Sequence, residues 1–204
     1  GGRTRAIMFD PNDASAKKVW AGGVTGGLWY NNDITSATSS WQNVDDFWSN
    51  LTITCIAYDP NNTSTFYVGT GESFTNASRG AGIWKSTDGG ATWAQISSTS
   101  QFYYVNDIVV RDESGTSAVL AAITNRYYQG VFPTGGSANA GLQRSNNGGT
   151  TWTQVLPNIP GEIFPAAASD IEIDAANNVW IGSNASPYGL TDRGGGRIYK
   201  STNG

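Results

Sequence analysis

Two stretches of this chain, KSTDGGATWAQI at residues 85–96 and RSNNGGTTWTQV at residues 144–155, share one order of residue types. Each begins with alternating residues typical of a strand, passes through a Gly-Gly pair that favours a tight turn, and leaves through a tryptophan. The same hairpin motif occurs twice in this chain, which indicates an internal repeat. A repeat of this kind indicates which class of fold the chain adopts.

The same succession of short segments surrounds each hairpin. An apolar strand that ends in aspartate comes first, a second apolar strand follows, a third strand enters the hairpin, and a fourth such as TWAQI or TWTQV closes the unit; the aspartates are Asp10, Asp59, Asp112 and Asp174. Alternation at period two, with turn residues at each junction, predicts an all-β chain. A repeated four-stranded antiparallel meander is the blade of a β-propeller, whereas the strands of a sandwich do not repeat in motif.

The predicted organisation is a single partial β-propeller of about four blades. The blades lie approximately at residues 1–47, 48–100, 101–160 and 161–204, and the last is incomplete. A blade buries its two faces only against neighbouring blades. Two apolar faces would therefore stay open, and we expect the remaining blades of a longer propeller or a second copy of the chain to cover them.

The composition excludes several classes of function. The net charge of −4 does not suit nucleic-acid binding, and no apolar run is long enough for membrane insertion. The chain contains no histidine, which excludes catalytic systems and metal sites that use this residue. The one cysteine, Cys55, lies in the apolar stretch LTITCIAYD and is expected in the core.

The repeated hairpin resembles the Asp-box, or BNR, motif of sialidase-like and sortilin-like propellers. The second copy matches it fully, the third has Asn147 in place of the aspartate, and the first is degenerate, with Asn31, Asp33 and a late Trp41. The resemblance implies structural turns on the face opposite the ligand site. The matching residues are Ser86, Asp88, Gly90, Thr92, Trp93, Ser145, Asn147, Gly149, Thr151, Trp152, Ser201 and Asn203.

The resemblance does not by itself imply an enzyme. A sialidase needs three arginines and a tyrosine nucleophile paired with a carboxylate, and the Arg-Ile-Pro element of that family is absent. The chain is also similar to xyloglucan-degrading hydrolases, in which a catalytic aspartate precedes a Gly-Gly pair. The matching position in AGGVTGGLWY is Val24, which implies that this carboxylate is missing.

Function is therefore expected in the loops. The connections from second to third strands and from blade to blade emerge on one face and are rich in aromatic and charged residues, which can stack on sugars and donate hydrogen bonds. The alternative interpretation is that many of these rings close the top of the propeller or pack beneath their own loops. The candidate ligand-binding residues are Trp48, Phe74, Arg79, Tyr103, Tyr104, Arg126, Tyr127, Tyr128 and Tyr188. Phe47, Phe102, Phe132, Phe164, Glu162, Asp192 and Arg193 belong to the same loops.

A glycosidase would need two carboxylates across a cleft. Glu72 with Asp45 or Asp46 is the preferred pair, because neighbours such as Asp45 and Asp46 tend to diverge; solvated loop acids are the alternative interpretation. The segments DPND at 10–13 and DPNN at 59–62 offer oxygen atoms to calcium, but Asp-Pro-Asn is a good turn. We expect no metal and no cofactor.

The sequence thus predicts a segment of a secreted or cell-surface bacterial propeller that binds a glycan or a protein through its aromatic-rich loops and is non-catalytic by itself. The alternative is part of a glycoside hydrolase, xyloglucanase-like or sialidase-like, whose remaining catalytic residues lie outside the segment. A third hypothesis is an architectural propeller that scaffolds other domains.

Overall fold

The computed structural model describes residues 3–72, 78–124, 139–160, 165–184 and 196–202. Their regular structure is mainly β-strand and includes a 3₁₀ helix at Ser97–Thr99. No helix in these ranges is long and apolar enough to cross a membrane. The all-β fold predicted from the alternation is confirmed.

The strands form four antiparallel sheets that follow one another along the chain. The first contains β1 (Thr4–Phe9), β2 (Val19–Gly23), β3 (Gly27–Asn31) and β4 (Gln42–Asn43). The second contains β5 (Ile53–Asp59), β6 (Asn62–Thr70), β7 (Ile83–Ser86) and β8 (Ala94–Gln95). The third contains β9 (Val105–Glu113), β10 (Thr116–Ile123), β11 (Gly141–Ser145) and β12 (Thr153–Gln154). The described part of the fourth contains β13 (Ala167–Ile173), β14 (Val179–Asn184) and β15 (Arg197–Ser201).

Each sheet packs on the next in chain order, so that together they form part of a β-propeller. Strand β10 shows why its sequence, TSAVLAAI, is apolar almost throughout. Val119 and Ala121 pack into the cluster shared with the second sheet, whereas Leu120 and Ala122 pack into the cluster shared with the fourth. A strand with both faces buried loses the polar half of its alternation.

The second strands of the first two sheets approach the next sheet closely at two glycines. A Cβ atom on Gly22 would lie 2.3 Å from Cγ2 of Ile53 in the next sheet. A Cβ atom on Gly69 would lie 2.6 Å from Cγ1 of Val105, again in the next sheet. The two glycines hold equivalent positions in β2 and β6, so the absence of a side chain allows the same close contact twice.

The first strand of every sheet, β1, β5, β9 and β13, has a bulge at the same place near its beginning. The register shifts by one residue there in all four sheets, at Arg5, Thr54, Asn106 and Ser169. An extra residue in one strand turns its side chain out of the ladder. Thr54 Oγ1 donates to the carbonyl of Val105, and Asn106 Nδ2 donates to that of Ala168 at 2.8 Å. The bulges of the second and third sheets therefore tie each of these sheets to the next.

The Gly-Gly turn of the second sheet is closed by short-range hydrogen bonds. Gly90 N–H donates to Ser86 Oγ at 2.9 Å, Thr92 N–H donates to Asp88 Oδ1 at 2.8 Å, and Trp93 Nε1 donates to the Gly90 carbonyl at 3.0 Å. The backbone φ of Gly90 is +86°, which glycine adopts without strain.

The turn of the third sheet repeats these bonds. Gly149 N–H donates to Ser145 Oγ at 2.9 Å, Thr151 N–H donates to Asn147 Oδ1 at 3.0 Å, and Trp152 Nε1 donates to the Gly149 carbonyl at 3.0 Å. In the first sheet, Asn31 and Asp33 accept bonds from the backbone N–H of Asp33 and Thr35. Ser201 ends β15, and Asn203 lies outside the described residues.

The two outer faces of the stack expose large apolar side chains. On the first sheet Ile7 is 68% exposed and Phe9 is 57% exposed. On the fourth sheet Ile198 is 80% exposed and Trp180 is 37% exposed. The equivalents of Ile198 and Trp180 in the second sheet, Ile83 and Tyr67, are buried, so the outer face of the fourth sheet is open because it lacks a neighbour within the described residues.

Candidate functional site

The connections β2–β3 and β4–β5, with their equivalents in the other sheets, lie on one side of the stack, which we call the loop face. Its described residues include 24–26, 44–52, 71–72, 78–82 and 96–104. Hydrogen bonds join these loops across the sheets, from Gly27 N–H to the Leu51 carbonyl at 2.9 Å and from Gly80 N–H to the Tyr103 carbonyl at 2.7 Å. The Gly-Gly turns lie at the opposite ends of their strands.

Glu72, the preferred catalytic candidate, is buried in an ion-pair cluster. Its side chain is 4% exposed, and its Oε2 atom lies 3.1 Å from Nη2 of Arg3 and 3.4 Å from Nη1 of Arg5. The two guanidinium groups compensate the charge of the carboxylate, as a buried carboxylate requires. Glu72 therefore links the beginning of the first sheet to a loop of the second.

Asp45 and Asp46 occupy the loop between the first and second sheets. Asp45 Oδ1 accepts a hydrogen bond from the backbone N–H of Phe47 at 2.7 Å, which is a local Asx turn. Asp46 is exposed. Phe47, which this turn presents, is 94% exposed.

Arg79 and Tyr103 are both candidate ligand-binding residues, and the fold brings them together. The guanidinium carbon of Arg79 lies 3.7 Å from the centroid of the Tyr103 ring, a cation–π contact. The Tyr103 hydroxyl donates to Gln101 Oε1 at 2.8 Å, and Asn50 Nδ2 donates to the Arg79 carbonyl at 2.7 Å. Arg79 is exposed, whereas Tyr103 is only 6% exposed.

Four aromatic residues of these loops, Trp48, Phe102, Tyr103 and Tyr104, are buried, as the alternative interpretation of packing beneath the loops expects. Trp48 stacks on Trp84 at a centroid distance of 4.5 Å and an interplanar angle of 1°. Phe102 makes an edge contact with Trp152 at 5.5 Å. These loops fold back over the interfaces between sheets. Burying an aromatic ring there is more favourable in free energy than leaving it exposed to water.

Several candidates lie outside the described residues. They are Phe74, Arg126, Tyr127, Tyr128 and Tyr188 among the candidate ligand-binding residues, and Phe132, Glu162, Phe164, Asp192 and Arg193 among the other loop residues. The position that the resemblance assigned to a catalytic aspartate is described. Val24 is 7% exposed there, and its N–H donates to the Arg3 carbonyl at 2.9 Å.

Asp107 is a partly buried acid that sequence reasoning missed. Its carboxylate accepts hydrogen bonds at 2.9 Å from the backbone N–H groups of Ile108 and of Ile171 in the next sheet. Burial raises the pKa of Asp107 to about 6, with a smaller contribution from the nearby charges of Asp170 and Glu172. Aligning the repeats could have revealed it, because Cys55 and Ala6 hold the equivalent, apolar positions.

The Asp-Pro-Asn segments use their carboxylates within the fold. Asp10 bonds Lys18 Nζ at 2.9 Å and Trp20 Nε1 at 3.0 Å; burial alone would raise its pKa, but these bonds outweigh burial and lower it. Asp59 accepts from Ser117 Oγ at 2.7 Å. No group of three or more acids or cysteines placed to hold a metal ion occurs in the part of the chain that the structure describes.

Comparison with known proteins identifies relatives among xyloglucanases. No protein-family model matches the chain. A xyloglucanase of Hypocrea jecorina is 31% identical over 149 residues, which are 65% of this chain and 16% of that protein. A xyloglucanase of Acetivibrio thermocellus is 30% identical over 162 residues, 71% of this chain and 17% of that protein. The matched region is thus less than a fifth of each of these relatives.

Solved structures with the same fold include an ancestral GH74 enzyme, with a TM-score of 0.65 and 21% identity over 100% of this chain and 23% of that chain. The extracellular domain of a one-component system of B. thetaiotaomicron has a TM-score of 0.58 and 12% identity, over 90% of this chain and 20% of that chain. These likenesses establish the β-propeller fold.

Proposed function

We propose that this chain is a segment of an extracellular propeller that binds a xyloglucan-like β-glucan through its loop face and does not itself hydrolyse it. The observation that carries the proposal is the sequence similarity to xyloglucanases over about two-thirds of the chain. The chain covers only a small part of those proteins, so a shared substrate class is inferred, and a shared activity is not.

The described carboxylates favour binding over catalysis. A retaining glycosidase needs carboxyl groups about 5–5.5 Å apart and an inverting one about 6.5–9.5 Å apart, with one free to donate a proton. Glu72 is paired with two arginines, Asp45 accepts a backbone hydrogen bond, and Val24 replaces an acid. Glu72 and Asp45 thus each have a structural use that competes with a catalytic one, whereas Asp46 is exposed.

The exposed groups of the loop face suit a sugar chain. The ring of Phe47 offers a flat apolar surface for a pyranose, and the Arg79 guanidinium, fixed over Tyr103, offers several hydrogen-bond donors. The Gly-Gly turns at Ser86–Trp93 and Ser145–Trp152 are proposed to be Asp boxes with a structural role, since their side chains close the turns themselves.

Binding to immobilised xyloglucan, measured by affinity electrophoresis with isothermal titration in parallel, tests the proposal. We expect saturable binding that weakens about tenfold or more in Phe47→Ala, because a stacked ring is lost. Phe9→Ala is the matched control, since Phe9 is an exposed phenylalanine on a different surface. No binding to any β-glucan, or an equal effect of both substitutions, would contradict the proposal.

The second candidate function is part of a glycoside hydrolase whose other catalytic residues lie elsewhere, and the named activity of the relatives favours it. Release of reducing sugar from xyloglucan by the whole protein tests this. If Glu72→Gln abolishes release while leaving xyloglucan binding intact, Glu72 is catalytic and the non-catalytic proposal is wrong. A protein that binds but releases no sugar supports the first proposal.

A further inference from the structure

The two interfaces made by the second sheet differ at one pair of equivalent positions. Trp20 of β2 pairs with Tyr30 of β3 in the first sheet. Tyr67 of β6 pairs with Lys85 of β7 in the same register in the second sheet. These side chains face the following sheet, so Tyr30 contributes to the first interface and Lys85 to the second.

At the second interface, side chains of the second sheet bond both carbonyls of the neighbouring Gly-Gly turn. Lys85 Nζ lies 5.4 Å from the ring centroid of Tyr67 and donates to the Gly148 carbonyl at 3.2 Å. Ser98 Oγ donates to the Gly149 carbonyl at 2.6 Å. Lys85 therefore occupies the space beside this turn.

At the first interface the corresponding space is an open cleft. The Tyr30 hydroxyl does not serve the Gly-Gly turn, because it donates to Gln42 Oε1 at 2.6 Å in its own sheet. The cleft has a volume of about 460 Å³, and ligand pockets typically measure about 300–1,000 Å³. Its lining includes Lys18, Trp20, Tyr30, Asn32, Asp88 and Gly90.

The charged side chains of this cleft are held in place and keep hydrogen-bonding capacity. Lys18 Nζ lies 2.9 Å from Asp10 Oδ2, and an ammonium group has further N–H donors. Asp88 accepts bonds from Ser86 Oγ at 2.8 Å, from Thr92 N–H at 2.8 Å and from Thr92 Oγ1 at 2.6 Å. A carboxylate has about four acceptor positions, so Asp88 can accept one more bond.

The ligand that fits this lining is neutral and carries hydroxyl groups. Lys18 Nζ already lies 4.8 Å from the ring centroid of Trp20 and 5.5 Å from that of Tyr30, so a second ammonium group would be repelled there. Hydroxyl groups donate to Asp88 and to the Gly-Gly turn, and they accept from Lys18. The partly exposed ring of Tyr30 offers apolar surface to the C–H groups of a sugar.

We propose that the cleft between the first and second sheets binds one neutral pyranose residue, with hydrogen bonds to Lys18, Asn32 and Asp88 and with Tyr30 against the sugar ring. The cleft lies beside a Gly-Gly turn, at the end of the strands opposite the loop face. It is thus a second carbohydrate site, and it does not depend on the proposed binding of a β-glucan by the loop face.

Backbone amide NMR spectra of the protein, titrated with methyl β-D-glucopyranoside, test the proposal. The signals of Gly89, Gly90 and Ala91 should shift and saturate with a Kd of about 1 mM, which is ordinary for a ligand of this size. The signals of Gly148 and Gly149 should not shift, because Lys85 occupies the equivalent space.

A matched pair of exposed substitutions locates the site. Ala91 and Thr150 are exposed, and each follows a Gly-Gly pair. Ala91→Arg places a long side chain over the cleft, where it can pair with Asp88, and should weaken glucoside binding about tenfold. Thr150→Arg makes the same change at the second interface and should leave the affinity unchanged. Circular dichroism checks that both variants are folded.

Two further variants separate this site from the loop face. Asn32→Ala removes an exposed amide from the lining and should weaken binding about fivefold, as expected for a lost hydrogen bond. Phe47→Ala should leave the affinity of the cleft unchanged. Failure of glycan binding at the loop face and failure of this site are therefore distinguishable.

Four results would overturn the proposal. The first is the absence of a saturable shift at concentrations about a hundredfold above the expected Kd. The second is a set of shifts confined to the loop face, and the third is unchanged affinity in the folded Ala91→Arg variant. The fourth is that butylammonium shifts the signals of Gly89–Ala91 while the glucoside does not, which would identify an ammonium site like the one that Lys85 fills.

Discussion

Asp88 and Asn147 occupy the same position in two hairpin turns and accept the same hydrogen bond, from Thr92 N–H at 2.8 Å and from Thr151 N–H at 3.0 Å. The bond to the threonine hydroxyl reverses its direction. Thr92 Oγ1 donates to Asp88 Oδ2 at 2.6 Å, whereas Asn147 Nδ2 donates to Thr151 Oγ1 at 2.8 Å. The turn thus requires an acceptor at this position and does not require a charge.

This relationship predicts the effect of acid on the two turns. Hydrogen bonds from the Thr92 side chain and backbone lower the pKa of Asp88 to about 2 from 3.8. Because the folded-state pKa is depressed, the stabilisation is present above the unfolded value and is lost as the pH falls towards 2. Asp88→Asn should remain folded at neutral pH and lose less stability between pH 4 and pH 2 than the wild type, as urea unfolding would measure. Asn147→Asp should show the opposite change.

The raised pKa of Asp107 predicts that stability changes with pH in the direction opposite to that predicted for Asp88. Its folded-state pKa of about 6 lies above the value of 3.8, so the native state binds the proton more strongly. Stability should therefore fall as the pH rises from about 4 to about 6, by roughly 3 kcal/mol. Asp107→Asn should abolish this slope in urea unfolding at several pH values. The exposed Asp46→Asn is the control and should retain it.

Trp48 is predicted to stabilise the joint between the first two sheets rather than to bind ligand. Trp48→Ala removes a ring stacked on Trp84 and should lower the free energy of unfolding by about 3–5 kcal/mol. Trp41→Ala is the matched control, because Trp41 is 42% exposed and its loss should cost about 0.5 kcal/mol or less. Thermal and urea unfolding measure both. Equal, small effects would show that Trp48 is not part of the core.

Alanine substitutions at two glycines would distinguish the cost of backbone strain from the cost of a steric clash. Gly90 and Gly115 have φ values of +86° and +87°, but a Cβ on Gly90 would lie 2.3 Å from Cη2 of Trp20, whereas nothing lies within 4 Å of one on Gly115. Gly115→Ala should cost about 1 kcal/mol from the backbone alone. Gly90→Ala should cost about 1–3 kcal/mol more, because Trp20 must move. Similar unfolding midpoints for the two variants would refute this contact.

Much of the fold could be predicted because its determinants are local. The hydrogen bonds that close the turn from Ser86 to Trp93 join residues no more than four positions apart, so the order of residue types in that segment is enough to specify the turn. Period-two alternation likewise reports which residues of a strand share a face. Four similar segments in series then indicate sheets that stack on one another, as in a propeller.

The roles of individual loop residues were decided by the tertiary structure. Glu72 meets Arg3 and Arg5, which are 69 and 67 positions away, and the ring of Trp48 meets that of Trp84 in a different sheet. Asp107 is partly buried and accepts a hydrogen bond from the backbone N–H of Ile171 in the fourth sheet, 64 positions away. A ring or carboxylate in a long connection can face solvent or the interface between two sheets. Its direction depends on the path of that connection over the neighbouring sheet, and alternation within a strand carries no information about this path.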